Sequence, residues 1–509
     1  MHTDEPFDIC VIGGGVNGAG ISRDAAGRGL KVALIEQGDL AEGTSSRSGK
    51  LIHGGLRYLE YYEFRLVREA LIEREVLLEA APHIIWPMRF VLPHSPAERP
   101  AWLVRAGLFL YDHLGGRKRL AGTRSLDLSS APEGDVIKPD FKRAFEYSDC
   151  WVDDARLTIL NALCASEKGA AIYTRTRCAG AQREDATWRI DLVDVRSGEK
   201  REIYAKALIN AAGPWVNSVI ESIAGTQSRR SVRQVKGSHL IMKKFWQGNH
   251  SYLIQNDDKR VIFVNPFEDD YALIGTTDIA YEGDPANVSV DQDEIDYLLN
   301  SMNRYFVNQF STRDVLTSFS GVRPLYDDNS ENPSAVTRDY LFDLDQTAEL
   351  APLLNIYGGK ITTYRKLAEH ALDKLASNFP DIGSNWTASE PLPGGDIADA
   401  DFDKWFGVFR QQYQQLPDEL LHHYARLYGT RAEHLLNGIT TCDQLGRFFG
   451  HTLYEAEVRY LVDVEWAQTS EDILERRTKH GLHLSANEQR QFIQWFEREF
   501  SELLLENDA

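Results

Sequence analysis

Five cysteines in 509 residues, Cys10, Cys150, Cys164, Cys178 and Cys442, are too few and too scattered for a disulfide framework. None stands in CxxC spacing, so they read as small core residues in a reducing compartment and no metal site is expected. Long apolar runs are missing as well, and nothing approaches the length of a membrane-spanning helix. The first strand begins within the opening residues, which leaves no stretch for a signal peptide ahead of it. Cations are the minority: 56 Lys and Arg against 76 Asp and Glu give a formal charge of −20, which excludes a nucleic-acid partner. It also makes any cluster of cations informative, since such a cluster attracts an anion locally against the global field. The expectation is a cytoplasmic protein, at most held on a membrane surface.

What the chain does have is a glycine-rich turn close to its start. Phe7-Asp8-Ile9-Cys10-Val11-Ile12 reads as a short buried strand, and it runs into Gly13-Gly14-Gly15-Val16-Asn17-Gly18, a G-x-G-x-x-G turn that opens a helix over 19–27. A second strand over 31–35 ends at Glu36. Gly13 permits the tight turn, Gly15 lets backbone amides approach a pyrophosphate, and Gly18 brings helix and strand together; the helix N-terminus faces the anion and Glu36 accepts from an adenosine ribose. The glycines alone are a weak signal. Strand, helix, second strand and acid at this spacing predict an adenine dinucleotide site. The stretch 44–58 that follows has no hydrophobic period but is dense in glycine, hydroxyls and cations, as a loop that touches a polar ligand would be.

A chain of this length needs two or three cores. A helix is expected over 63–81, stopped by Pro82. The stretch 88–122 is apolar, aromatic and locally basic; it reads either as an interfacial segment on anionic lipid, with Arg105, Arg117, Lys118 and Arg119 as its cations, or as a core helix. Alternating runs at 171–177, 188–195 and 200–204 predict a small antiparallel sheet, and 207–215 a buried strand ending in a small-residue turn. Runs at 237–242, 252–255, 261–266 and 271–275 predict a larger, mostly antiparallel sheet with a helix over 291–310 at its edge. Strand returns at 315–323 and 353–357, and a helix follows over 362–375. Residues 385–395 are the clearest linker, and beyond them strand signals vanish. Ser485-Ala486-Asn487-Glu488 has capping-box form. The expected fold is α/β: a Rossmann-like dinucleotide-binding part with an inserted antiparallel substrate domain, then an all-α C-terminal domain. The expected boundaries are 1–390 and 391–509, with dinucleotide parts at about 1–85, 145–225 and 345–390 and substrate parts at about 86–144 and 226–344.

Five motifs in order resemble the FAD-dependent glycerol-3-phosphate dehydrogenases, within the glycine-oxidase-like flavoproteins. They are Ile12 to Gly20 continued through Asp24 to Gly29; Leu51-Ile52-His53-Gly54-Gly55-Leu56-Arg57-Tyr58; Lys236-Gly237-Ser238-His239; Ser320-Gly321-Val322-Arg323-Pro324; and Gly358-Gly359-Lys360-Ile361-Thr362-Thr363-Tyr364-Arg365. The resemblance spans almost the full length. It implies non-covalent FAD, oxidation of sn-glycerol 3-phosphate to dihydroxyacetone phosphate with hydride passing to flavin N5, and electrons going on to ubiquinone or another membrane quinone in glycerol catabolism. It further implies a homodimer attached peripherally to the anionic inner face of the cytoplasmic membrane. Cofactor contacts are expected at Gly13, Gly15, Asn17, Gly18, Glu36, Ser45, Ser46, Lys50, Leu51, His53, Gly54, Arg177, Ala212, Gly213, Trp215, Gly359, Lys360 and Thr362.

A phosphate ester needs several converging donors, with Arg favoured for its planar fork. The candidates are Arg57 with Tyr58, Arg323, Arg338 and Lys360, and the resemblance implies that they line the substrate pocket. Which holds the phosphate and which faces the carbinol stays open. Removing a hydroxyl proton calls for a base of near-neutral pKa, and His239 is the choice. Arg323 is the alternative as polariser of the oxygen, with Thr276 or Thr277 orienting it. A related oxidase that reduces oxygen, and a flavoprotein that only binds a phosphorylated metabolite, are the competing readings. The chain has no second G-x-G-x-x-G unit for NAD, which favours a quinone acceptor.

Overall fold

A computed structural model describes residues 5–95, 99–226, 230–326, 339–346 and 350–501. Strand Phe7–Ile12 is the centre of a parallel sheet, in which Ile9, Cys10 and Val11 are fully buried. It pairs with Val32–Ile35 on one side and with the second half of Lys200–Asn210 on the other. Ala171–Tyr173 and Leu353–Gly358 extend the sheet outward, and Tyr340–Asp345 closes one edge antiparallel. Helices Val16–Gly27, Asp154–Glu167 and Tyr364–Leu375 cover one face, where Ala19, Ala25 and Ala26 keep the first of them close to the strands. The meander Thr176–Glu184 and Thr187–Asp194 covers the other through Trp188, Ile190 and Leu192.

Where 200–204 and 207–215 read as separate strands, the structure has one strand, Lys200–Asn210. Its first half pairs antiparallel with Thr187–Asp194 and its second half parallel with Phe7–Ile12, the switch falling at Ala205. The "small antiparallel sheet" is therefore an extension of the parallel one.

Among the described residues the second sheet has ten strands. Its middle runs Val232–Lys243, Tyr271–Gly275, Val261–Phe267, Ser251–Gln255, Ile85–His94 and Arg143–Val152, and only the Ser251–Gln255 and Ile85–His94 pair is parallel. Val315–Tyr326 lies along the full length of Val232–Lys243. Helix Gln292–Tyr305, opened by a capping box of Asp291 and Glu294, packs Leu298, Leu299 and Met302 against Leu240 and Met242. The stretch 88–122 is split by the structure. Its start belongs to the buried strand Ile85–His94, and only Ala101–Leu114 is a helix, seated through Leu108 and Tyr111 with Trp102 and Phe109 exposed.

Residues 385–395 are irregular but packed: Arg23 donates to the Glu390 and Pro391 carbonyls (2.9 and 3.2 Å), Trp386 Nε1 donates to the Asp24 carbonyl (3.1 Å), and Leu392 is buried. Beyond them Phe402–Gln412, Asp418–Tyr428, Glu455–Glu465 and Ala486–Glu499 enclose their own core, the last opened by the Ser485 and Glu488 capping box. This part is helical, as expected, apart from one short element. A hairpin of Phe448–Gly450 and Leu453–Tyr454 interrupts the helices, and its strands are too short to show alternation. Buried ion pairs tie this helical part to the parallel sheet. Arg156 donates to Glu465 (2.8 Å), and Asp39 takes Arg476 Nε (2.7 Å) and Arg477 (2.8 Å).

Candidate active site

The carboxyl ends of the parallel strands meet at the glycine-rich turn. A Cβ at Gly18 would lie 1.9 Å from the Gly13 carbonyl oxygen, so helix and turn close only around a glycine. Glu36 accepts from the Gly14 and Gly38 amides (2.6 and 2.8 Å); burial pushes its carboxyl up and these two bonds hold it back. Ser45 Oγ accepts from the Val16 amide (2.9 Å), which brings the loop that contains Ser46 onto the helix N-terminus. Gly213–Trp215 forms a tight turn at the end of Lys200–Asn210, just after Ala212, whose amide is held by Asn210 Oδ1 (3.3 Å). Asn17 Nδ2 donates to the Gly358 carbonyl (3.3 Å) beside Gly359, while its buried Oδ1 meets no hydrogen-bond donor among the described residues. Thr362 Oγ1 accepts from the His53 amide (3.2 Å). Positions scattered over the chain thus converge on one strand end. Glycine-lined backbone, an orphaned amide oxygen and a ribose-length carboxylate fit a dinucleotide such as FAD.

Other expected contacts are placed less directly. Lys50 is buried with Nζ 2.6 Å from Asp154, so its cation faces that carboxylate. The Leu51 side chain enters the core beneath the second sheet. The Gly54 amide donates to Tyr111 Oη (2.8 Å). Arg177 is exposed, one residue past Thr176, whose amide holds the Glu36 carbonyl (2.8 Å).

The second sheet meets the loop after this turn where Thr44 Oγ1 donates to the Val322 carbonyl (2.6 Å), and the face that carries His239 adjoins it, a Cβ at Gly49 standing 3.5 Å from His239 Nε2. Its imidazole stacks on Phe319, its partner across the ladder (4.9 Å, 20°). On the other side stands Gly275, where a Cβ would come 2.3 Å from His239 Cδ2, so the glycine makes room for the ring. Burial first, then the charges of Arg323 and Lys50, push the imidazole down to about 3. It is neutral at pH 7, and its Nδ1 has no hydrogen-bond partner among the described residues. Arg323, on Val315–Tyr326, donates to Thr276 Oγ1 (2.8 Å) and the Thr277 carbonyl (3.4 Å) and pairs with Asp278.

His53 meets Phe263 edge-on (5.9 Å), and Phe263 is the ladder partner of Gly275. Lys360 Nζ lies 3.8 Å over the Tyr58 ring. The 358–362 turn therefore touches Asn17 at one end and Tyr58 at the other. Arg57, half-buried, donates to Tyr61 Oη (3.3 Å). Arg338 lies outside the described residues.

The motif Lys236-Gly237-Ser238-His239 is divided by the pleat. Lys236 turns to the opposite face, to Asp291 (2.8 Å) and Glu294 (2.7 Å), where Ser238 and Thr277 also donate to Glu294 (2.7 Å each). Sequence reasoning missed this support and the Asp278 partner of Arg323. The period of two along 236–239 is the signal for the former; Asp278 directly follows Thr276 and Thr277, the residues expected beside the reacting oxygen.

A parallel sheet with a dinucleotide cradle, adjoined by a large sheet that carries a neutral histidine and an arginine on one face, defines a two-part dinucleotide-dependent oxidoreductase. Residues 8–357 match the family described as FAD dependent oxidoreductase, and residues 385–494 the C-terminal domain of alpha-glycerophosphate oxidase. The chain belongs to the FAD-dependent oxidoreductases, and FAD is its cofactor. It is 61% identical to D-erythritol 1-phosphate dehydrogenase of Brucella abortus, over 98% of this chain and 99% of that one. It is 51% identical to aerobic glycerol-3-phosphate dehydrogenase of Escherichia coli, over 96% and 97% respectively. The glycerol-3-phosphate dehydrogenase of Bacillus halodurans, solved with FAD, superposes with a TM-score of 0.77 at 26% identity, covering 98% of this chain and 92% of that one.

Proposed function

We propose that the chain is a glycerol-3-phosphate dehydrogenase that oxidises sn-glycerol 3-phosphate to dihydroxyacetone phosphate and delivers the electrons to a membrane quinone. The observation that carries this is the juxtaposition of a neutral, unpartnered His239 nitrogen with Arg323 over the dinucleotide end. Bound FAD supplies the two-electron acceptor. His239 takes the hydroxyl proton at its free ring nitrogen. Burial is the main reason that this base is held near 3; a dianionic substrate beside Arg323 offsets part of the smaller contribution from the cations, while Lys50 already faces Asp154. Arg323, fixed by Thr276 and Asp278, steadies the oxygen that loses the proton or takes a phosphate oxygen. Arg57, Tyr58, Lys360 and Arg338 supply the remaining anion contacts in this reading, and the division of the chain at residue 390 into flavoprotein and helical parts belongs to it too.

The 61% relative favours a second substrate, D-erythritol 1-phosphate, for the same reaction. Both are secondary alcohols on a phosphorylated polyol, so the same base and cations serve. The test is anaerobic: the yellow protein is mixed with each phosphate in turn, flavin bleaching is followed, and quinone or oxygen is then added. Bleaching by glycerol 3-phosphate and reoxidation by quinone supports the proposal; bleaching only by the four-carbon ester moves the substrate to the second reading, and fast reoxidation by oxygen alone makes it an oxidase.

Among the described residues no helix is long and apolar enough to cross a membrane. Helix Ala101–Leu114 exposes Trp102 (71%), Phe109 (62%), Leu103 and Leu110 beside Arg105, with Tyr62 (80%) on the neighbouring turn, and this patch supports peripheral attachment to an anionic inner leaflet. Buried free cysteines support a cytoplasmic setting. A homodimer completes the reading, with sedimentation equilibrium as its check.

A further inference from the structure

The helical C-terminal part brings together three groups that the flavin chemistry does not use, two of them buried. His423 projects from Asp418–Tyr428, Glu457 from the first turn of Glu455–Glu465, and His480 from the short turn His480–Leu482. One donor atom from each lies within 4.8 Å of the others. Glu457 is fully buried, and His480 nearly so. Glu457 Oε1 takes His423 Nε2 (2.8 Å) and Tyr428 Oη (2.7 Å), whereas Oε2 has no hydrogen-bond partner among the described residues. His480 Nε2 is held by Thr452 Oγ1 (3.0 Å), and its Nδ1 is likewise unpartnered. A buried carboxylate oxygen and a buried imidazole nitrogen, each without a partner among the described residues, cost free energy that a cation bound by the trio would recover.

We propose that His423, Glu457 and His480 form a Zn²⁺ site that holds the C-terminal helices together. Two imidazoles and a carboxylate are a donor set of zinc, with a fourth position open for water on the side where His423 is 15% exposed. Tetrahedral coordination at about 2.0–2.1 Å needs donors roughly 3.3 Å apart, so side-chain rotation of about 1 Å closes the trio on the ion. The outer groups are in place: Thr452 fixes the His480 ring through the nitrogen the metal does not use, and Tyr428 fixes the carboxylate. The site joins two helices to the segment that carries Arg476 and Arg477, which reach Asp39. This inference is independent of the substrate assigned above.

The test uses untagged, FAD-loaded full-length protein, stripped with a chelator and returned to Zn²⁺ or Co²⁺. One zinc per chain surviving gel filtration, and an intense visible band of tetrahedral Co²⁺, are expected. His423→Gln should lose both while keeping FAD, because His423 lies at the edge of the core; Thr452→Val should weaken zinc binding on the order of tenfold, as removal of an orienting partner does. His434→Gln, on the exposed face of Ala432–Leu435, should change nothing. Substoichiometric zinc in the native protein, or equal zinc in His423→Gln, overturns the site, and the cobalt spectrum of the native chain decides it even if a variant fails to fold.

Discussion

His239 carries the proposed chemistry on one nitrogen, so His239→Asn, which keeps the shape and removes the basic site, should lower kcat on the order of 10²–10⁴ with FAD content unchanged. Near-native kcat with the same pH profile would move the base role to Arg323 acting through water. Arg323→Ala should cost roughly 2–5 kcal/mol in kcat/KM, the range for truncating one member of a charge pair. Arg323→Lys, which keeps a positive charge beside Asp278, should recover some of it. Glycerol, without the phosphate, should be a very poor substrate; equal turnover of glycerol and its phosphate would sink the anion pocket. At this scale the residue types were legible and their directions were not. His239 could be chosen because proton removal needs a base, but only the pleat separates it from Lys236, which serves the back of the sheet. Lys50 stands in the loop expected to touch the ligand, and its cation meets Asp154, 104 residues away, which no local pattern announces. The zinc trio was invisible for the same reason: its members come from three elements and share no motif.

The helix Ala101–Leu114 is the element with most at stake. Trp102→Glu combined with Phe109→Glu should reduce sedimentation with anionic vesicles and slow quinone reduction, while flavin reduction by substrate continues at the native rate. Vesicle binding that ignores both changes would shift the contact to Lys118 and Arg119, which are exposed beyond the helix. Elements were read well where period and punctuation agreed. Tyr271–Gly275 matches its expected span, and the first strand starts and stops as its apolar run does. They were misread where one sequence character spans two environments. Ile85–His94 and Ala101–Leu114 are equally apolar, yet one is the middle of a sheet and the other a surface helix, a difference set by neighbours far along the chain. Residues 385–395 carry linker composition, but their carbonyls are claimed by Arg23, so proline and glycine here mark irregular backbone and not freedom.

The whole molecule should report buried histidine through its stability. Burial first, then Arg156 and Arg426, push His83 down to about 3, so the folded state keeps it neutral where the unfolded chain takes a proton below about 6.5. Stability is therefore full above pH 6.5 and falls as pH drops from there toward 3, by about 1.4 kcal/mol per pH unit for this group. Urea unfolding at pH 7 and pH 5 should show a slope reduced by one proton in His83→Gln, and an unchanged slope would contradict the burial. A remaining consequence follows from the buried pairs between Asp39 and the arginines at 476 and 477. Asp39 lies three residues past Glu36, in the loop whose Ala41 amide holds the Gly14 carbonyl (3.1 Å), so the dinucleotide cradle leans on groups 437 residues further along. A chain made at 5–20 residues per second waits roughly 20–90 s between exposing its glycine turn and producing the arginines that brace it. Until then Asp39, in the loop that holds the glycine turn, lacks both of the arginines that pair with it in the finished fold.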